Sequence, residues 1–278
     1  MTRVAILISG RAARYDACLL PTLEKASQQF DVFMSINDED CFYYEVMRTR
    51  LAKWLKGVYI QPYTIPENFQ CSFIENDYRF AYQHIDGKWV PRNVLSHFFN
   101  DMNAFKMASD YAALNGFAYD FIMKYRADII SDLDKVCFSN SKPGILYSVI
   151  ANCRFTTFGK HKTDVVLQDW HWGDPTVMRL ACSTYEYIME ENVKSGGDYL
   201  FHFESNFADN LIDRGVKNQY VYISYTVDMH RRLFDSTWNP TNITDSRRVN
   251  CAGGSPFIDI KTITNLEGLP NIPVLPGN

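Results

Sequence analysis

An arginine and a carboxylate, one residue apart, follow an apolar run near the middle of the chain. The stretch FIMKYRADII spans residues 121–130 and predicts a buried strand that ends at Arg126 and Asp128. Residues two apart on an extended segment face the same way, so both side chains would project together. A guanidinium matches phosphate oxygens, and a carboxylate can hold a divalent cation that bridges a diphosphate. The alternative interpretation is a surface ion pair at a strand end.

A second polar group follows the first apolar run. Ser9-Gly10-Arg11 opens a turn into a helical segment, and Arg14 lies on the same turn. A small residue permits close backbone approach, while a helix N-terminus and arginine side chains attract phosphate. The sequence contains neither G-x-x-x-x-G-K-[ST] nor G-x-G-x-x-G, so it lacks the P-loop and dinucleotide fingerprints. A solvated arginine in an ordinary strand–helix loop is the alternative.

The segments that would position these residues alternate between strands and helices, which predicts an α/β sheet domain. Strands are predicted over 3–10, 30–38, 57–63, 119–125, 144–150 and 218–227. Helices are predicted from near Pro21 within 16–30, over 43–57 with Gly57 as its stop, over 95–116, from near Pro175 within 168–190, and over 199–215. Residues 64–92 are predicted as a long loop or insertion. Ligands bind beyond the carboxyl ends of strands in such sheets, which adds Asn37 and Asp38 as candidates.

Composition excludes several classes of protein. The chain has 278 residues, of which 46% are hydrophobic, and a net charge of −4. A global basic field for nucleic acid is therefore not expected. Seven cysteines, an odd number with no C-x-x-C pair, predict reduced thiols and a cytoplasmic protein. No apolar stretch approaches the length of a membrane span, so none is predicted.

The order of the motifs resembles the GT-A nucleotide-sugar glycosyltransferases, in particular the small soluble enzymes of large algal (chlorella) viruses and related bacterial proteins. The resemblance covers about residues 3–230 and is carried by LISGRAARY (7–15), FDVFMSIND (30–38), the helix with Asn103 and Lys106, and YDFIMKYRADI (119–129). It implies a Rossmann-like GT-A fold with a mixed, mainly parallel sheet flanked by helices. One domain, 1–278, would divide into a nucleotide-sugar half (about 1–130), an acceptor half (about 131–235) and a coil-rich tail (236–278).

The resemblance also implies a donor site and a cation. The donor-binding residues would be Ser9, Gly10, Arg11, Arg14, Asn37, Asp38, Lys106, Arg126 and Asp128. GT-A enzymes usually carry Asp-x-Asp after the strand that ends here at Tyr125, whereas this chain has Arg126-Ala127-Asp128, without the first acid. Asp128 would be the metal ligand for Mn²⁺ or Mg²⁺, and Arg126 would partly replace the cation.

The second half of the chain supplies the candidate bases. QDWHWGDPTVMRL (168–180) and HFESNFADNLIDRG (202–215) resemble acceptor-side segments of the same family. An inverting transferase needs a carboxylate to take the proton of the acceptor hydroxyl, and Asp169 and Glu204 are the candidates. A helix N-terminal acid is the alternative for Glu204, and a turn residue or cap for Asp169. His171, between two tryptophans, is predicted either to stack on a sugar or to pack in the core. His97 and the cysteines are predicted to be structural.

The leading expectation is transfer of a sugar from a nucleotide diphosphate sugar, most simply a UDP-sugar, to a glycan acceptor by single displacement. By resemblance, the acceptor would be a viral capsid-protein glycan in the host cytoplasm, and xylose, rhamnose, glucose and galactose all remain open as the donor sugar. A sugar-phosphate nucleotidyltransferase is a second hypothesis, although SGRAARY supplies only part of its signature. A non-catalytic carbohydrate-binding protein is a third, supported by the missing first acid.

Overall fold

The computed structural model describes most of the chain in segments. The described residues are 2–10, 12, 15–37, 44–61, 66, 69, 72–73, 83–85, 88–90, 92–149, 161, 170–197, 200–201, 203–221, 223, 225–230, 246–251 and 262–263. The helices are α1 (Leu19–Lys25), α2 (Tyr44–Arg50), α3 (Arg92–Leu114), α4 (Pro175–Cys182), α5 (Thr184–Lys194) and α6 (Phe203–Asp213). The strands are β1 (Val4–Gly10), β2 (Phe30–Asn37), β3 (Leu55–Gln61), β4 (Ser72–Phe73), β5 (Gln83–Ile85), β6 (Lys88–Val90), β7 (Phe121–Tyr125), β8 (Ile129–Ser131), β9 (Ile145–Val149), β10 (His171–Gly173), β11 (Leu200–Phe201), β12 (Lys217–Val221), β13 (Tyr225–His230), β14 (Ser246–Cys251) and β15 (Thr262–Ile263).

An eight-stranded sheet lies at the centre, in the order β15-β12-β9-β10-β7-β1-β2-β3. Parallel pairs join β1 to β2 and to β7, β2 to β3, and β9 to β12. Strand β10 is antiparallel to both of its neighbours, and β15 is antiparallel to β12. The expected mixed, mainly parallel α/β sheet is therefore confirmed, and it is compatible with a Rossmann-like fold.

Each face of the sheet carries its own core, because side chains alternate along every strand. On one face, β1 packs against α1 and α2 through Ile6, Ile8, Leu19, Leu23 and Met47. On the other face, β1 packs against α3 and joins a core that also includes α4 and α6, through Ala5, Leu7, Phe98, Met178 and Phe207. Burial on both faces explains why the central strands are continuous apolar runs rather than alternating ones.

The strand order reverses at β1. The chain builds outward through β2 and β3, and α3 then carries it back to β7 on the other side of β1. Such a topological switch point opens a crevice at the carboxyl ends of the two strands. The two strands that flank the crevice end at Gly10 and Tyr125, directly beside the polar groups singled out in the sequence.

Two predicted boundaries are wrong for tertiary reasons. The helix predicted over 43–57 ends at Arg50, and Gly57 lies inside β3, in register with Phe33. A Cβ at Gly57 would lie 3.1 Å from the Phe33 ring, so the glycine makes room for packing instead of ending a helix. The strand predicted over 218–227 is two strands, because β13 leaves the main sheet to pair with β8 and β14.

The segment 168–190 was predicted to be a strand or turn followed by one helix, and it contains β10 followed by two helices. Strand β10 is followed by α4, which begins at Pro175 as predicted, and Asp174 accepts hydrogen bonds from the backbone of Thr176 and Val177 at 2.8 and 3.1 Å. These bonds satisfy amide groups that have no partner within the helix. Ser183 then separates α4 from α5.

Short strands also lie in the two segments predicted to be irregular. The predicted loop 64–92 includes β4, β5 and β6, and the predicted coil-rich tail 236–278 includes β14 and β15. The other residues of the tail lie outside the described residues. Among the helices that the structure describes, none is both long enough and apolar enough to cross a membrane.

Candidate functional site

Arg126 and Asp128 lie on a tight turn between β7 and β8. The backbone N–H of Ile129 donates to the carbonyl of Arg126 at 3.3 Å. The hydroxyl of Tyr125 donates to the carbonyl of Ile129 at 3.1 Å, and this bond connects the two ends of the turn. The extended backbone predicted here is therefore wrong, but the two side chains do lie on the same side.

The two side chains form a bidentate ion pair. Nε of Arg126 donates to Oδ1 of Asp128 at 2.8 Å, and a terminal nitrogen donates to Oδ2 at 2.6 Å. Parallel bonds of this kind are the strongest geometry available to a guanidinium and a carboxylate. The side chains of Arg126 and Asp128 are 29% and 20% exposed, so the pair is partly exposed at the carboxyl end of β7.

The described residues do not form a divalent-cation site. Both carboxylate oxygens of Asp128 already accept hydrogen bonds from Arg126. Within the described segments, no three His, Cys, Asp or Glu side chains come together as metal ligands. A hard cation needs several free oxygen ligands, so we derive no chemical step through a metal. The metal role of Asp128 stays a prediction.

The end of β1 combines a glycine turn with a buried hydroxyl. Gly10 has φ +81°, a left-handed conformation that favours glycine. A Cβ at Gly10 would lie 3.5 Å from Nδ1 of His97, so the imidazole borders the turn. Ser9 is buried and accepts a hydrogen bond from Nζ of Lys124. Ser9 therefore lies where predicted, but its side chain points into the protein.

Beneath this turn is a set of polar groups that we call the Lys124 cluster: Ser9, His97, Asp101 and Lys124. Lys124 is completely buried, and its Nζ lies 2.6 Å from Oδ1 of Asp101. Nε2 of His97 lies 3.4 Å from Oδ2 of Asp101 and 3.4 Å from Nζ of Lys124. The cluster joins the ends of β1 and β7 to the second and third turns of α3.

The electrostatics of the cluster keep Asp101 ionised. Burial alone would raise the pKa of the Asp101 carboxyl, but the charge of Lys124 outweighs it, with a smaller contribution from His97 when its ring is protonated, and holds the pKa below its ordinary value. Burial, reinforced by the charge of Asp101, raises the pKa of the nearby Cys182 thiol, which therefore stays protonated. The centre of the cluster is an ion pair that is almost completely shielded from solvent.

A chain of hydrogen bonds ties α3 to the end of β2. The hydroxyl of Ser35 donates to Oδ1 of Asn100 at 2.7 Å, and Nδ2 of Asn100 donates to Oδ1 of Asn37 at 2.8 Å. Asn37 is thus held at the carboxyl edge of the sheet, where the sequence predicted it. The N-terminal half of α3 therefore contacts the ends of β1, β2 and β7 together.

The remaining predicted residues are not all brought to this crevice. Lys106 is exposed on α3, on the side opposite the buried Ala104 and Ala108, so the structure does not place it with the others. Glu204 is the second residue of α6, and its side chain lies outside the described residues. Four other predicted residues also lie outside the described residues: Arg11, Arg14, Asp38 and Asp169.

The aromatic stretch around His171 belongs to the core. Trp170 and Trp172 are buried, with Trp170 packed edge-on against Tyr125 and Trp172 stacked on Tyr147. His171 is buried in register with Lys124. Stacking of this stretch on a sugar is therefore wrong, and the core-packing interpretation is confirmed.

Sequence analysis missed the Lys124 cluster, although two signals for it were present. Lys124 interrupts an apolar five-residue strand, which marks a cation that faces the interior. His97 and Asp101 share a helical face with the buried Ala104 and Ala108, at the spacing that places side chains on one side of a helix. His97, predicted to be merely structural, is the member of the cluster that lies between the Lys124–Asp101 pair and the Gly10 turn.

Comparison with known proteins assigns no family. No protein-family model matches the chain, and no curated protein matches it.

Proposed function

We propose that the chain is a GT-A type glycosyltransferase that binds a nucleotide diphosphate sugar at the switch point between β1 and β7. One observation carries the proposal: a partly exposed guanidinium stands beside a left-handed glycine turn at the carboxyl edge of the sheet. Ile8 is in register with Tyr125, so Gly10 lies two residues and Arg126 one residue beyond that pair, at the carboxyl ends of adjacent strands. Neighbouring strands lie about 4.8 Å apart, a spacing that a diphosphate can bridge.

In this site, the diphosphate competes with Asp128 for Arg126. The turn at Gly10 has no side chain to obstruct a phosphate, and the fork of Arg126 can donate two hydrogen bonds to phosphate oxygens. Stabilising the charge that develops on the leaving diphosphate is the main task of such an enzyme. A guanidinium can perform this task without a metal, and the Mn²⁺ or Mg²⁺ expected from the resemblance stays a prediction.

The transfer step requires a base on the acceptor side. The acceptor oxygen attacks the anomeric carbon, the bond from that carbon to the diphosphate oxygen breaks, and the nucleotide diphosphate leaves with the electron pair. A carboxylate takes the hydroxyl proton, and Glu204 and Asp169 remain the candidates. Helix α6 leads into β12, which runs parallel to β9, so Glu204 at its start belongs to the carboxyl edge of the sheet. The acceptor is a glycan, with a viral capsid glycoprotein as the proposed example.

The test combines nucleotide binding with turnover. UDP should raise the melting temperature, because a ligand that binds only the folded state stabilises it by RT ln(1 + c/Kd) at a free UDP concentration c. A panel of UDP-sugars should include one from which UDP is slowly released. Arg126→Ala should weaken UDP binding by about tenfold to a hundredfold, the range expected for a lost hydrogen bond to a charged group. The matched control is Arg48→Ala, which removes an exposed arginine paired with Glu45 on α2.

Other outcomes favour the rival functions. Pyrophosphate release from a sugar phosphate and a nucleoside triphosphate would indicate a nucleotidyltransferase. UDP-sugar binding without turnover, with or without Mn²⁺, would indicate a binding protein. Equal UDP affinity in the wild type and Arg126→Ala would contradict the proposed donor site.

A further inference from the structure

His97 is the most solvent-exposed member of the Lys124 cluster. The side chains of Lys124 and Asp101 are 0% and 8% exposed, whereas His97 is 18% exposed. The imidazole has Nε2 at the ion pair and Nδ1 at the Gly10 turn. His97 therefore connects a buried pair of charges to the surface where the diphosphate is proposed to bind.

Stability alone does not account for the ion pair. Removing two charges from water is costly, and apolar residues of similar volume often stabilise a fold as well or better. The pair lies directly under the switch point and not elsewhere in the core. This position suggests that the pair serves the ligand site.

The protonation of His97 sets the net charge of the cluster. The charges of Lys124 on β7 and Asp101 on α3 cancel, while Ser9 on β1 and the protonated Cys182 on α4 are neutral. A neutral imidazole leaves the cluster uncharged, whereas an imidazolium gives it one positive charge. Lys124 opposes the imidazolium and Asp101 favours it, so a phosphate beside Nδ1 would shift the balance toward protonation.

We propose that His97 binds the phosphate of a ligand at the Ser9–Gly10 turn and takes up one proton from solvent as the ligand binds. In the bound state, Nε2–H donates to Asp101 and Nδ1–H donates to a phosphate oxygen. The Lys124–Asp101 pair holds the ring in this orientation. This inference rests on the proposed function, because it places a diphosphate at the same crevice.

Calorimetry of UDP and of inorganic pyrophosphate tests the inference directly. Titrations in two buffers with different ionisation enthalpies measure the protons taken up. UDP titrates near pH 6 itself, so the neutral variants His97→Asn, which keeps a nitrogen near Nδ1, and His97→Gln, which keeps one near Nε2, provide the baseline. We expect wild type to exceed this baseline in proton uptake. The affinity of the wild type for either ligand should exceed that of His97→Asn by about tenfold near pH 6, and the two affinities should converge near pH 8.

A second histidine provides the matched control. Nε2 of His161 lies 2.6 Å from Oδ1 of Asp213, and the His161 side chain is also partly exposed. His161→Asn therefore removes a histidine–carboxylate pair outside the cluster. This variant should retain both the affinity and the proton uptake of the wild type. If the His97 variants do not fold, imidazole ¹⁵N shifts of the wild type decide, because one of the six histidines must become protonated when pyrophosphate is added.

The outcomes separate this inference from the proposed function. UDP binding with equal proton uptake in wild type and both His97 variants overturns the inference and leaves the function standing. Binding of pyrophosphate but not UDP, with uptake that depends on His97, supports the inference and overturns the function. Binding of neither ligand overturns both.

Discussion

Lys124 is a cation without solvent contact, and Asp101 is its counter-charge. The two groups lie 2.6 Å apart, and Ser9 accepts a further hydrogen bond from the ammonium. Each charge is tolerated only because the other is present, since an isolated ion in the protein interior is very costly. Removing one partner should therefore lower the free energy of unfolding strongly, whereas removing both partners should change it much less.

Asp101→Asn should destabilise the protein by about 3–5 kcal/mol at neutral pH, because it leaves the ammonium of Lys124 buried without a counter-charge. The double variant Lys124→Met/Asp101→Leu should lie close to wild type in its free energy of unfolding. Urea unfolding of the three proteins measures the difference. A double variant as unstable as Asp101→Asn would contradict the account of the pair.

Lowering the pH should remove the stabilising contribution of the same ion pair. The pKa of Asp101 is lower in the folded protein than in the unfolded chain, where it is about 3.9. Its stabilising contribution is thus complete above that value and is lost as the pH falls through the lower folded pKa. Urea titrations below about pH 4 should show that wild type loses stability more steeply than the double variant. If the stability of both proteins falls equally with pH, Asp101 is not the group responsible for the acid sensitivity of the wild type.

At the level of elements, turns decide what can approach the crevice. The glycines at 10 and 116 both have positive φ, at 81° and 67°. A Cβ at Gly116 meets nothing within 4 Å, whereas a Cβ at Gly10 meets the ring of His97 at 3.5 Å. Their backbone requirements are the same, but only one of the two borders the proposed phosphate site.

Gly10→Ala and Gly116→Ala should each cost about 1–2 kcal/mol of stability, the strain of an L-residue in the left-handed region. Only Gly10→Ala should also weaken UDP binding, because its methyl group occupies the space between His97 and the ligand. Chemical denaturation and calorimetry on the same preparations separate the two effects. Unchanged UDP affinity in Gly10→Ala would remove this turn from the site.

The elements were predictable where their signals are local. Strands β1, β2, β7 and β9 are apolar runs because both sides of each are covered, and the start of α4 follows from Pro175. Gly57 was misread because its role depends on Phe33 in a neighbouring strand. The Lys124 cluster was missed for the same reason: Ser9 and Lys124 are 115 residues apart, and only the pairing of β1 with β7 brings them together.

At the scale of the whole molecule, the reversal of strand order concentrates the site. Helices α1 and α2 cover one face and α3 to α6 contribute to the core on the other, so the proposed chemistry is assigned to the carboxyl edge between β1 and β7. The Arg126–Asp128 pair and the Gly10 turn both lie on that edge. The sequence predicted this edge from the order of its motifs, but not the ion pair beneath it.

A crystal structure with UDP tests the central claim most directly. We predict the diphosphate at the Gly10 turn, with Arg126 donating to its oxygens and the bond from Arg126 to Asp128 opened. UDP bound at a different part of the molecule, or no bound nucleotide in crystals soaked to saturation, would contradict the account.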